Sequence, residues 1–530
     1  MMRVLAALIS TAIALAACHG VSEPPTVYDV QISGGLVFDG TSKEGRVADI
    51  FVEGDRIVFI GDGDTENVSG EVIIDATGLI VAPGFIDPHT HTTSDVLFSN
   101  TKKRLEGYLT QGVTTVVSGN DGQGPFDIAG TLRAVDARGV GPNFALFTGH
   151  GSIRSKVLGR ENREPTPEEL DQMRALTRTA IEDGALGLSA GLYYAPASYA
   201  TTEEVIELAK VAGEFGAIYD THIRDESTYS VGLLAAVEEA IEISRQSGAP
   251  LHLAHIKALG VDVWGYSADV IAAVEAAQAE GIRVTADQYP WSASGTRISN
   301  ALIPNWAKAD SDEAMNARLR DPANQARLVE EITENLRKRG GADAILLVAR
   351  ANDLPSQSLT AEAAQRGLDP VQTAIQIVLE GDSRIASFNM EDGDIERFMV
   401  QPWVMTSSDG TNGHPRKFAS FPRKYRTYVV EKKVISLVDF INRSTSFTAD
   451  TMALCDRGRL RPGKVADIVI FDPDRFGPVA DFSHPALLSE GVVHLLVNGE
   501  FAIRDGALSE ELYGLPLRRG ACDQEEEQPS

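Results

Sequence analysis

The chain has 530 residues, 43% of them hydrophobic, and a formal net charge of −27 at pH 7. Its length allows a large domain with a smaller one beside it, and its hydrophobic content is that of an ordinary globular protein. The negative charge argues against nucleic acid or an anionic membrane surface as a partner, and solubility is its simplest meaning.

The first 18 residues have the features of an export signal. Met1-Met2-Arg3 provides a basic start, and the apolar run that follows ends in Leu15-Ala16-Ala17-Cys18. This pattern predicts a cleaved secretory signal rather than a membrane-spanning helix. The last four residues resemble a bacterial lipobox, which would make Cys18 the lipidated first residue of the mature chain. Cleavage beside a chance cysteine is the alternative.

We accordingly predict a signal peptide over residues 1–18, a tether over 19–27 and a disordered acidic tail over 521–530. The lipobox resemblance implies a secreted bacterial lipoprotein at the periplasmic face of the outer membrane or at the cell surface, touching the membrane only through its lipid anchor. With Cys18 lipidated, Cys455 and Cys522 remain far apart in sequence and outside any C-x-x-C pattern, so we expect no disulfide framework.

Strand and hairpin patterns occupy two separated regions of the chain. These patterns, with Gly-Asp turn signals, cover residues 28–37, 48–60, 466–472 and 491–500. The simplest assembly is one small β-sandwich domain built from both chain ends, over residues 28–81 and 451–520.

Between these regions, short apolar segments alternate with amphipathic helical segments. Eight segments are predicted as strands, namely 82–87, 114–118, 143–148, 186–189, 218–221, 251–254, 283–287 and 404–407. The alternation predicts an α/β fold, a (β/α)8 TIM barrel over residues 82–450, whose active site lies at the carboxyl ends of its strands. An over-long stretch at about 291–344 predicts an insertion, serving either as a lid or as inert decoration.

The pair His89-Thr90-His91 follows the first predicted strand. Alternate side chains of a strand share a face, so the two imidazoles are directed toward one point, and imidazole favours Zn, Fe, Co or Ni. A chance pair on a polar loop is the alternative. Four further candidates follow other predicted strands: Asp121 after the second, His222 after the fifth, His255 after the sixth and Asp409 after the eighth. A barrel would bring all six residues to one face.

Longer motifs surround these residues. They include Gly187-Leu188-Ser189-Ala190-Gly191-Leu192-Tyr193-Tyr194, Thr221-His222-Ile223-Arg224-Asp225-Glu226, Asp287-Gln288-Tyr289-Pro290, Ser408-Asp409-Gly410 and His414-Pro415-Arg416. With the histidine pattern, they resemble the metal-dependent amidohydrolase superfamily. The narrower resemblance, from about residue 28 to 520, is to its N-acyl-D-amino-acid deacylase (D-aminoacylase) branch.

The resemblance implies one or two bound Zn²⁺ ions, with other divalent metals possible. It implies that His222 and His255 are ligands of a tight site, that His89 and His91 are ligands of a second, often weakly occupied site, and that Asp409 is the catalytic acid/base. One position departs from the family pattern. Asp121 stands where the family usually has a cysteine, and exchanging sulfur for oxygen leaves the metal affinity and the number of metals open.

A metal in such a site lowers the pKa of a water molecule toward 7 and polarises a carbonyl, while a carboxylate such as Asp409 moves the proton. The resemblance therefore implies a metal-dependent hydrolase that removes the acyl group from N-acyl-D-amino acids. A dipeptidase or cyclic-amide hydrolase of the same superfamily is the alternative enzyme. A non-catalytic surface binding protein is a remoter alternative, disfavoured because all the candidate site residues are present.

The resemblance assigns the substrate's α-carboxylate to Tyr194, Lys257 and Arg416, with Arg224 a less certain participant. A structural ion pair is the alternative for Arg416. Arg297 is a candidate contact for an acidic substrate side chain, although exposed loop arginines are commonly solvated. The preferred side chain, the acyl group and the oligomeric state stay open, and D or L selectivity is implied by resemblance only.

Overall fold

The computed structural model describes residues 25–348 and 355–520. The predicted signal peptide with Cys18, most of the tether and the acidic tail lie outside these ranges. No helix within the described ranges is long and apolar enough to cross a membrane.

The described residues form 22 strands and 19 α-helices. The strands are β1 (Thr26–Val37), β2 (Arg46–Glu53), β3 (Arg56–Gly61), β4 (Val68–Asp75), β5 (Ile80–Pro83), β6 (Phe85–Thr90), β7 (Val113–Ser118), β8 (Asn143–Leu146), β9 (Thr148–Gly149), β10 (Gly187–Gly191), β11 (Ile218–His222), β12 (Leu251–Leu253), β13 (Val284–Gln288), β14 (Ala293–Arg297), β15 (Ile345–Val348), β16 (Gln357–Ser358), β17 (Arg384–Phe388), β18 (Val404–Thr406), β19 (Ile468–Phe471), β20 (Val492–Val497), β21 (Glu500–Arg504) and β22 (Ala507–Leu508). The helices are α1 (Gly63–Glu66), α2 (Thr93–Phe98), α3 (Glu106–Leu109), α4 (Ile128–Arg138), α5 (His150–Leu158), α6 (Pro167–Glu182), α7 (Thr202–Glu214), α8 (Leu233–Ser247), α9 (Ser267–Ala279), α10 (Ile298–Leu302), α11 (Asn305–Lys308), α12 (Asp312–Arg320), α13 (Gln325–Lys338), α14 (Leu359–Arg366), α15 (Pro370–Leu379), α16 (Asp392–Met399), α17 (Arg416–Arg423), α18 (Leu437–Ser444) and α19 (Ser446–Thr451).

A nine-stranded sheet joins the two ends of the chain. Its order is β22-β21-β20-β19-β5-β1-β2-β3, and β4 pairs in parallel with β1. The hairpin between β2 and β3 turns at Gly54, whose φ of 56° lies in the left-handed region that glycine adopts without strain. Alternate residues such as Ile32 and its cross-strand partner Ile50 are fully buried, which gives this sheet its apolar face.

The parallel strands form a three-stranded sheet (β6-β7-β8) and a six-stranded sheet (β18-β13-β12-β11-β10-β9). The chain passes from β8 to β9 with one residue between them. On the other side, a parallel bridge joins Thr90 of β6 to Gly410 beyond β18. The carboxyl ends of these strands therefore face the same side of the molecule.

The first predicted strand, residues 82–87, is divided between two sheets. Ala82 in β5 pairs with Val469 in the nine-stranded sheet, whereas the parallel strand β6 begins only at Phe85. Gly84 separates the two, and a Cβ at this position would lie 2.2 Å from the Thr114 side chain. The chain can change sheets here because glycine allows this close approach.

An aromatic cluster packs the parallel strands against the nine-stranded sheet. The Phe85 ring stacks on Phe421 with centroids 5.5 Å apart and contacts Phe440 edge-on at 5.3 Å. Its centroid also lies 6.4 Å from those of Phe471 and Phe476. Such ring contacts add to the stabilisation from apolar burial, so this cluster holds β6 and its histidines in place.

A separate antiparallel sheet lies in sequence between β13 and β18. Its order is β14-β17-β15-β16; helices α10 to α15 belong to the same segment, and α10 packs on β14 and α14 on β15 and β16. The segment has its own apolar core, which includes Leu328, Ile332, Ile345 and Leu347. The predicted insertion of about 291–344 falls within this segment.

Cys455 is disulfide-bonded. The sequence-based expectation of no disulfide framework therefore does not hold for this cysteine. Spacing misses such a bond because the folded chain, not the sequence separation, sets which sulfur atoms meet.

Candidate metal centre

Six residues predicted from the sequence lie together at the carboxyl ends of the parallel strands. His89 is the penultimate residue of β6 with His91 just beyond that strand, Asp121 follows β7, His222 ends β11, His255 follows β12, and Asp409 follows β18. His91, Asp121, His222, His255 and Asp409 line one cavity of about 470 Å³. The parallel topology alone explains this convergence, because residues far apart in sequence share one edge.

The first candidate ligand group contains His89, His91, Asp121 and Asp409. His91 Nε2 lies 3.1 Å from Asp409 Oδ1 and 3.4 Å from Asp121 Oδ2. His89 Nε2 lies 3.5 Å from Asp121 Oδ1 and 3.7 Å from Asp409 Oδ1. Two imidazoles and two carboxylates thus surround one point.

The second candidate ligand group contains Asp121, His222 and His255. His222 Nδ1 and His255 Nε2 are 2.9 Å apart. Asp121 Oδ1 lies 3.6 Å from the first of these nitrogens and 3.3 Å from the second. Asp121 belongs to both groups, so its carboxylate lies between two adjacent sites.

The donor atoms fit a divalent transition metal. Both ring nitrogens of His89, Oδ1 of Asp121 and Nε2 of His222 are buried and have no hydrogen-bond partner within the described residues. Leaving a buried polar atom unpaired is costly unless something else binds it. Imidazole nitrogen and carboxylate oxygen are ligands that Zn²⁺ accepts.

Three residues of the cluster have strained backbones. Asp121, His255 and Asp409 have φ values of 58°, 36° and 47°, in a region that side chains larger than glycine rarely adopt. Such strain costs of order 1–3 kcal/mol per residue and occurs preferentially at functional sites, where the surrounding structure holds it. All three stand just after strands and line the cavity.

The opposite charges of the cluster stabilise one another. Burial alone would raise the pKa of Asp121, but the facing His255 and His89 outweigh it and hold that pKa well below its usual range. Burial would lower the pKa of His91, but its hydrogen bonds with Asp121 and Asp409 raise it to about 9. Burial and Lys257 would lower the pKa of His255, yet Asp121 and Glu226 raise it to about 10.

Asp287, at the end of β13, supports His89 from behind. Its Oδ2 lies 3.5 Å from His89 Nδ1 and 3.0 Å from His252 Nε2, and its Oδ1 accepts a hydrogen bond from the Ser407 hydroxyl. Both Asp287 and His89 are fully buried. A carboxylate behind a ligating histidine fixes the ring orientation and raises its basicity.

Arg416, predicted to bind a substrate carboxylate, pairs with Asp409 in the structure. Its Nη1 lies 2.7 Å from Asp409 Oδ2, and its guanidinium stacks 4.7 Å from the centroid of the Tyr289 ring. Burial raises the pKa of Asp409, but Arg416, His91 and the other histidines lower it strongly, so the carboxylate is ionised at neutral pH. Arg416 lines the cavity while orienting Asp409.

Lys257 and Tyr194 also line the cavity. The Lys257 ammonium donates to Glu226 Oε1 at 2.5 Å and lies 2.8 Å from His255 Nδ1. Tyr194 packs with its ring centroid 4.8 Å from that of His222. The structure therefore brings these two predicted residues to the metal cluster.

The fourth predicted substrate contact, Arg224, is not among the residues that line the cavity. Its Nε donates to Glu239 Oε2 at 2.8 Å, and its Nη groups donate to the carbonyl oxygens of Ser198 and Ala200. These contacts tie the loop after β11 to the segment before α7.

Four cavity or support residues had no role assigned from the sequence: Glu226, Asp287, Tyr289 and Arg384. The first three stand in the motifs around His222 and Pro290, and Glu226 follows His222 by four residues, so their proximity to the site was readable. Arg384 stands outside every motif and reaches the cavity only through the pairing of β17 with β14.

Comparison with known proteins identifies the family of the chain. A model of the amidohydrolase family matches residues 72–503. The D-aminoacylase of Alcaligenes xylosoxydans xylosoxydans is 31% identical over 93% of this chain and 98% of its own length. The N-acyl-D-glutamate deacylase of that organism is 32% identical over 89% of this chain and 93% of its own.

One solved structure is informative about the site. N-acyl-D-glutamate deacylase from Bordetella bronchiseptica, complexed with zinc and a phosphonate inhibitor that mimics the tetrahedral intermediate, matches with a TM-score of 0.78. The match has 29% sequence identity and covers 93% of this chain and 99% of that one.

Proposed function

The chain belongs to the amidohydrolase family, in its D-aminoacylase branch, and from that premise we propose that it is a zinc-dependent hydrolase that removes the acyl group from N-acyl-D-amino acids. One observation carries the proposal: six imidazole and carboxylate side chains, five of them buried, form two adjacent candidate ligand groups, and several of their nitrogen and oxygen atoms have no hydrogen-bond partner within the described residues. The relatives named D-aminoacylase and N-acyl-D-glutamate deacylase match over nearly their whole length. The substrate is a small molecule, and nucleic acid is not a partner.

We further propose that the parallel strands close into one (β/α)8 barrel. The short passage from β8 to β9 and the bridge between Thr90 and Gly410 support closure on both sides. The barrel would span residues 82–450, and the nine-stranded sheet would form a β-sandwich domain from residues 28–81 and 451–520. The insertion would extend beyond 344 to residue 388, because β14 pairs with β17.

We assign His222, His255 and Asp121 to a tight zinc site, and His89 and His91, with Asp121 shared, to a second site. Zinc bound there lowers the pKa of a water molecule toward neutrality and polarises the substrate carbonyl. Asp121 Oδ1 and Oδ2 face different histidines, so this one carboxylate is placed to serve both sites. One or two ions are compatible with this arrangement.

We assign proton transfer to Asp409. Its carboxylate is ionised and held on two sides, by Arg416 Nη1 and by His91 Nε2. From this position it would accept a proton from the attacking water and return it to the leaving nitrogen. The products are a carboxylic acid and a free amine.

We assign the substrate's α-carboxylate to Arg416, Lys257 and Tyr194, which all line the cavity. The pairing of Arg416 with Asp409 leaves its other guanidinium atoms for a substrate, because Nη2 makes only 3.4 Å contacts, with Gly295 and Thr411. Arg224 lies apart from the cavity lining, so we assign it to positioning the loop after β11.

The proposed function is tested with purified protein loaded with zinc and a panel of N-acetyl and N-formyl D- and L-amino acids, with dipeptides ending in a D-residue included. We expect release of the free D-amino acid, loss of turnover on zinc removal, and recovery when zinc is returned. Turnover of dipeptides or cyclic amides alone would replace the deacylase assignment with one of the other amide hydrolases. No zinc binding and no turnover would reject an enzyme function.

We also propose that the protein is exported and lipid-anchored through Cys18. The disulfide at Cys455 supports export, because disulfides persist in oxidising compartments. Replacing Cys18→Ser should release the protein from the membrane fraction of expressing cells into the soluble fraction. A Cys18→Ser protein that stays membrane-bound would argue against the anchor.

A further inference from the structure

The loop that carries Asp121 is held on both sides by hydrogen bonds to parallel strands. Before Asp121, the side-chain amide of Asn120 donates to the carbonyl oxygen of Pro88 in β6 at 3.1 Å. After Asp121, the backbone N–H of Gly122 donates to the hydroxyl of Ser189 in β10 at 3.1 Å. Asp121 therefore stands between two anchored residues.

The hydroxyl of Ser189 is itself oriented by a buried carboxylate. Ser189 in β10 and Asp220 in β11 are direct cross-strand partners, and both are fully buried. Ser189 Oγ donates to Asp220 Oδ2 at 2.6 Å. Because its proton is directed to Asp220, the hydroxyl presents its lone pairs to the N–H of Gly122. The three groups form one chain of hydrogen bonds that ends next to Asp121.

The side chain of Asp220 makes no other hydrogen bond in the part of the chain that the structure describes. Its Oδ1 is buried and has no partner there. A buried carboxylate with an unpaired oxygen costs stability, so stabilising the fold does not explain its presence. Its one hydrogen bond leads through Ser189 to the loop of Asp121.

The strained backbone of Asp121 requires a restraint of this kind. Strain at a φ of 58° persists only where the surrounding structure over-determines it. The N–H that Ser189 binds belongs to the peptide unit between Asp121 and Gly122, so this bond fixes the plane of that peptide. The loop also lies directly on the end of β10, where a Cβ at Gly191 would approach the Asp121 carbonyl oxygen to 2.2 Å.

The direction of the Asp121 carboxylate matters because both candidate ligand groups share it. Its Oδ2 lies 3.4 Å from His91 Nε2, and its Oδ1 lies 3.3 Å from His255 Nε2. A functional site needs its groups held to within about 0.5 Å of the productive geometry. A carboxylate that serves two sites meets this requirement only in a narrow range of directions.

We propose that Ser189 and Asp220 are positioning residues that hold Asp121 in the direction required by both metal sites. This inference rests on the proposed zinc-dependent function and deepens it. Neither residue lines the cavity, so neither is placed to contact the substrate. Asp220 directs the Ser189 hydroxyl, and the hydroxyl fixes the peptide next to Asp121. Zinc affinity is therefore the property that this chain of hydrogen bonds controls.

The first test measures zinc affinity by calorimetry and needs no turnover. Ser189→Ala should bind zinc about 10- to 100-fold more weakly than the unmodified protein, the loss typical of removing a group that orients a ligand. The matched control is Ser244→Ala, which removes a buried hydroxyl of α8 that donates to the carbonyl oxygen of Ala249 at 2.6 Å. It should leave zinc affinity unchanged. Equal zinc affinity in the two variants would overturn the proposal.

The same measurement tests Asp220. Asp220→Ala should weaken zinc binding about 10-fold, because the Ser189 hydroxyl loses the acceptor that directs it. In a Ser189→Ala protein the same change should add no more than about 2-fold, since both residues act along one path. A full additional loss in the double variant would remove Asp220 from the chain.

A second double-mutant cycle tests whether Ser189 acts through Asp121. In an Asp121→Ala background, Ser189→Ala should change zinc affinity by no more than about 2-fold, because the residue that it positions is gone. The same large loss in both backgrounds would mean that Ser189 supports the fold in general and not Asp121.

The zinc measurements separate failure of this inference from failure of the proposed function. Zinc binding by the unmodified protein that is unchanged in Ser189→Ala would reject only the positioning role. An unmodified protein that binds no zinc would reject both.

Discussion

Asp121 and Asp467 are comparably buried carboxylates with opposite surroundings. Their exposed fractions are 5% and 3%. Asp467 accepts hydrogen bonds from the Arg457 guanidinium, the Asn143 side-chain amide and the backbone N–H of Asn498. Asp121 faces four histidines, and its Oδ1 has no hydrogen-bond partner within the described residues.

The two hydrogen-bond networks show the same contrast, and the one positive φ in the first network, 52° at Asn498, is in a turn and on a residue type that tolerates it. The network around Asp467 joins the first residue of β8 to the turn between β20 and β21, and the side chain of Asn498 continues it to Tyr513. Its polar groups satisfy one another, so it fixes the nine-stranded sheet to the parallel strands. The cluster around Asp121 has unpaired atoms and three strained residues. A satisfied buried network stabilises a fold, whereas an unsatisfied, strained one is arranged for a ligand.

The largest effect is expected from a change in the unsatisfied cluster. Asp409→Asn should retain zinc and fold but lose about 10²- to 10⁴-fold in kcat, because an amide cannot carry the proton. The check is steady-state kinetics on a sample whose zinc content equals that of the unmodified protein. Near-normal turnover in such a sample would remove Asp409 from its assigned role.

Replacing aspartate with asparagine should destabilise the protein much more at Asp467 than at Asp121. Asp467→Asn should lower the free energy of unfolding by about 3–5 kcal/mol, since it leaves the buried Arg457 without its main partner. Asp121→Asn in zinc-free protein should change it by less than about 1 kcal/mol, because the facing histidines can release their protons. Urea unfolding of both variants checks this. Equal losses would mean that the Asp121 cluster is structural.

The histidines of the proposed tight site should contribute more to zinc affinity than those of the second site. His222→Ala and His255→Ala should abolish tight zinc binding, while His89→Ala and His91→Ala should lower activity with at least one metal retained. Elemental analysis after dialysis against a weak chelator measures this. Full zinc content in the His222→Ala and His255→Ala proteins would contradict the assignment of the tight site.

Arg416→Met tests whether Arg416, which pairs with Asp409, also binds the α-carboxylate of the substrate. It should slow substrates with a free α-carboxylate about 10- to 150-fold more than the matching α-amides, in addition to any common loss from releasing Asp409. The measurement is kcat/KM for each acid and amide pair. The same factor for acids and amides would limit Arg416 to positioning Asp409.

Asp287→Asn should have the smallest effect of the set. It keeps the size of the side chain but weakens the support behind His89, so zinc affinity should fall about 10- to 100-fold, as is typical for groups that orient a ligand. A competition titration with a coloured chelator measures the affinity directly. Unchanged affinity would mean that Asp287 supports only His252 and Ser407 and not His89.

Much of the candidate site was readable from the sequence. The family resemblance is confirmed by the comparisons. The H-x-H pair and the single residues after strands are local patterns, which can be recognised without knowledge of the fold. Parallel strands place such residues at one edge whatever the details of packing. The capping box of Thr166 and Glu169 at the start of α6 is another local pattern, since it depends on residues three apart.

Other features depended on contacts between distant segments. The change of sheet at Gly84 depends on the close approach of the Thr114 side chain. The disulfide at Cys455 depends on which sulfur atom lies near it in the folded chain. The ion pair of Arg416 depends on the position of Asp409. Arg224 pairs with Glu239 because that carboxylate lies on the neighbouring helix α8. Asp409 is only seven residues from Arg416 and the other neighbours are farther away in the sequence, but no periodicity or spacing encodes any of these contacts.

The sequence by itself determined which residue types stand after each strand and therefore the class of chemistry, because strand alternation and parallel connection are local and topological rules. Tertiary structure alone decided which charges meet. It joined Asp409 to Arg416 and placed Arg297 opposite Arg384. The physical reason is that electrostatic partnership depends on separations of a few ångströms, and only the packed chain sets those.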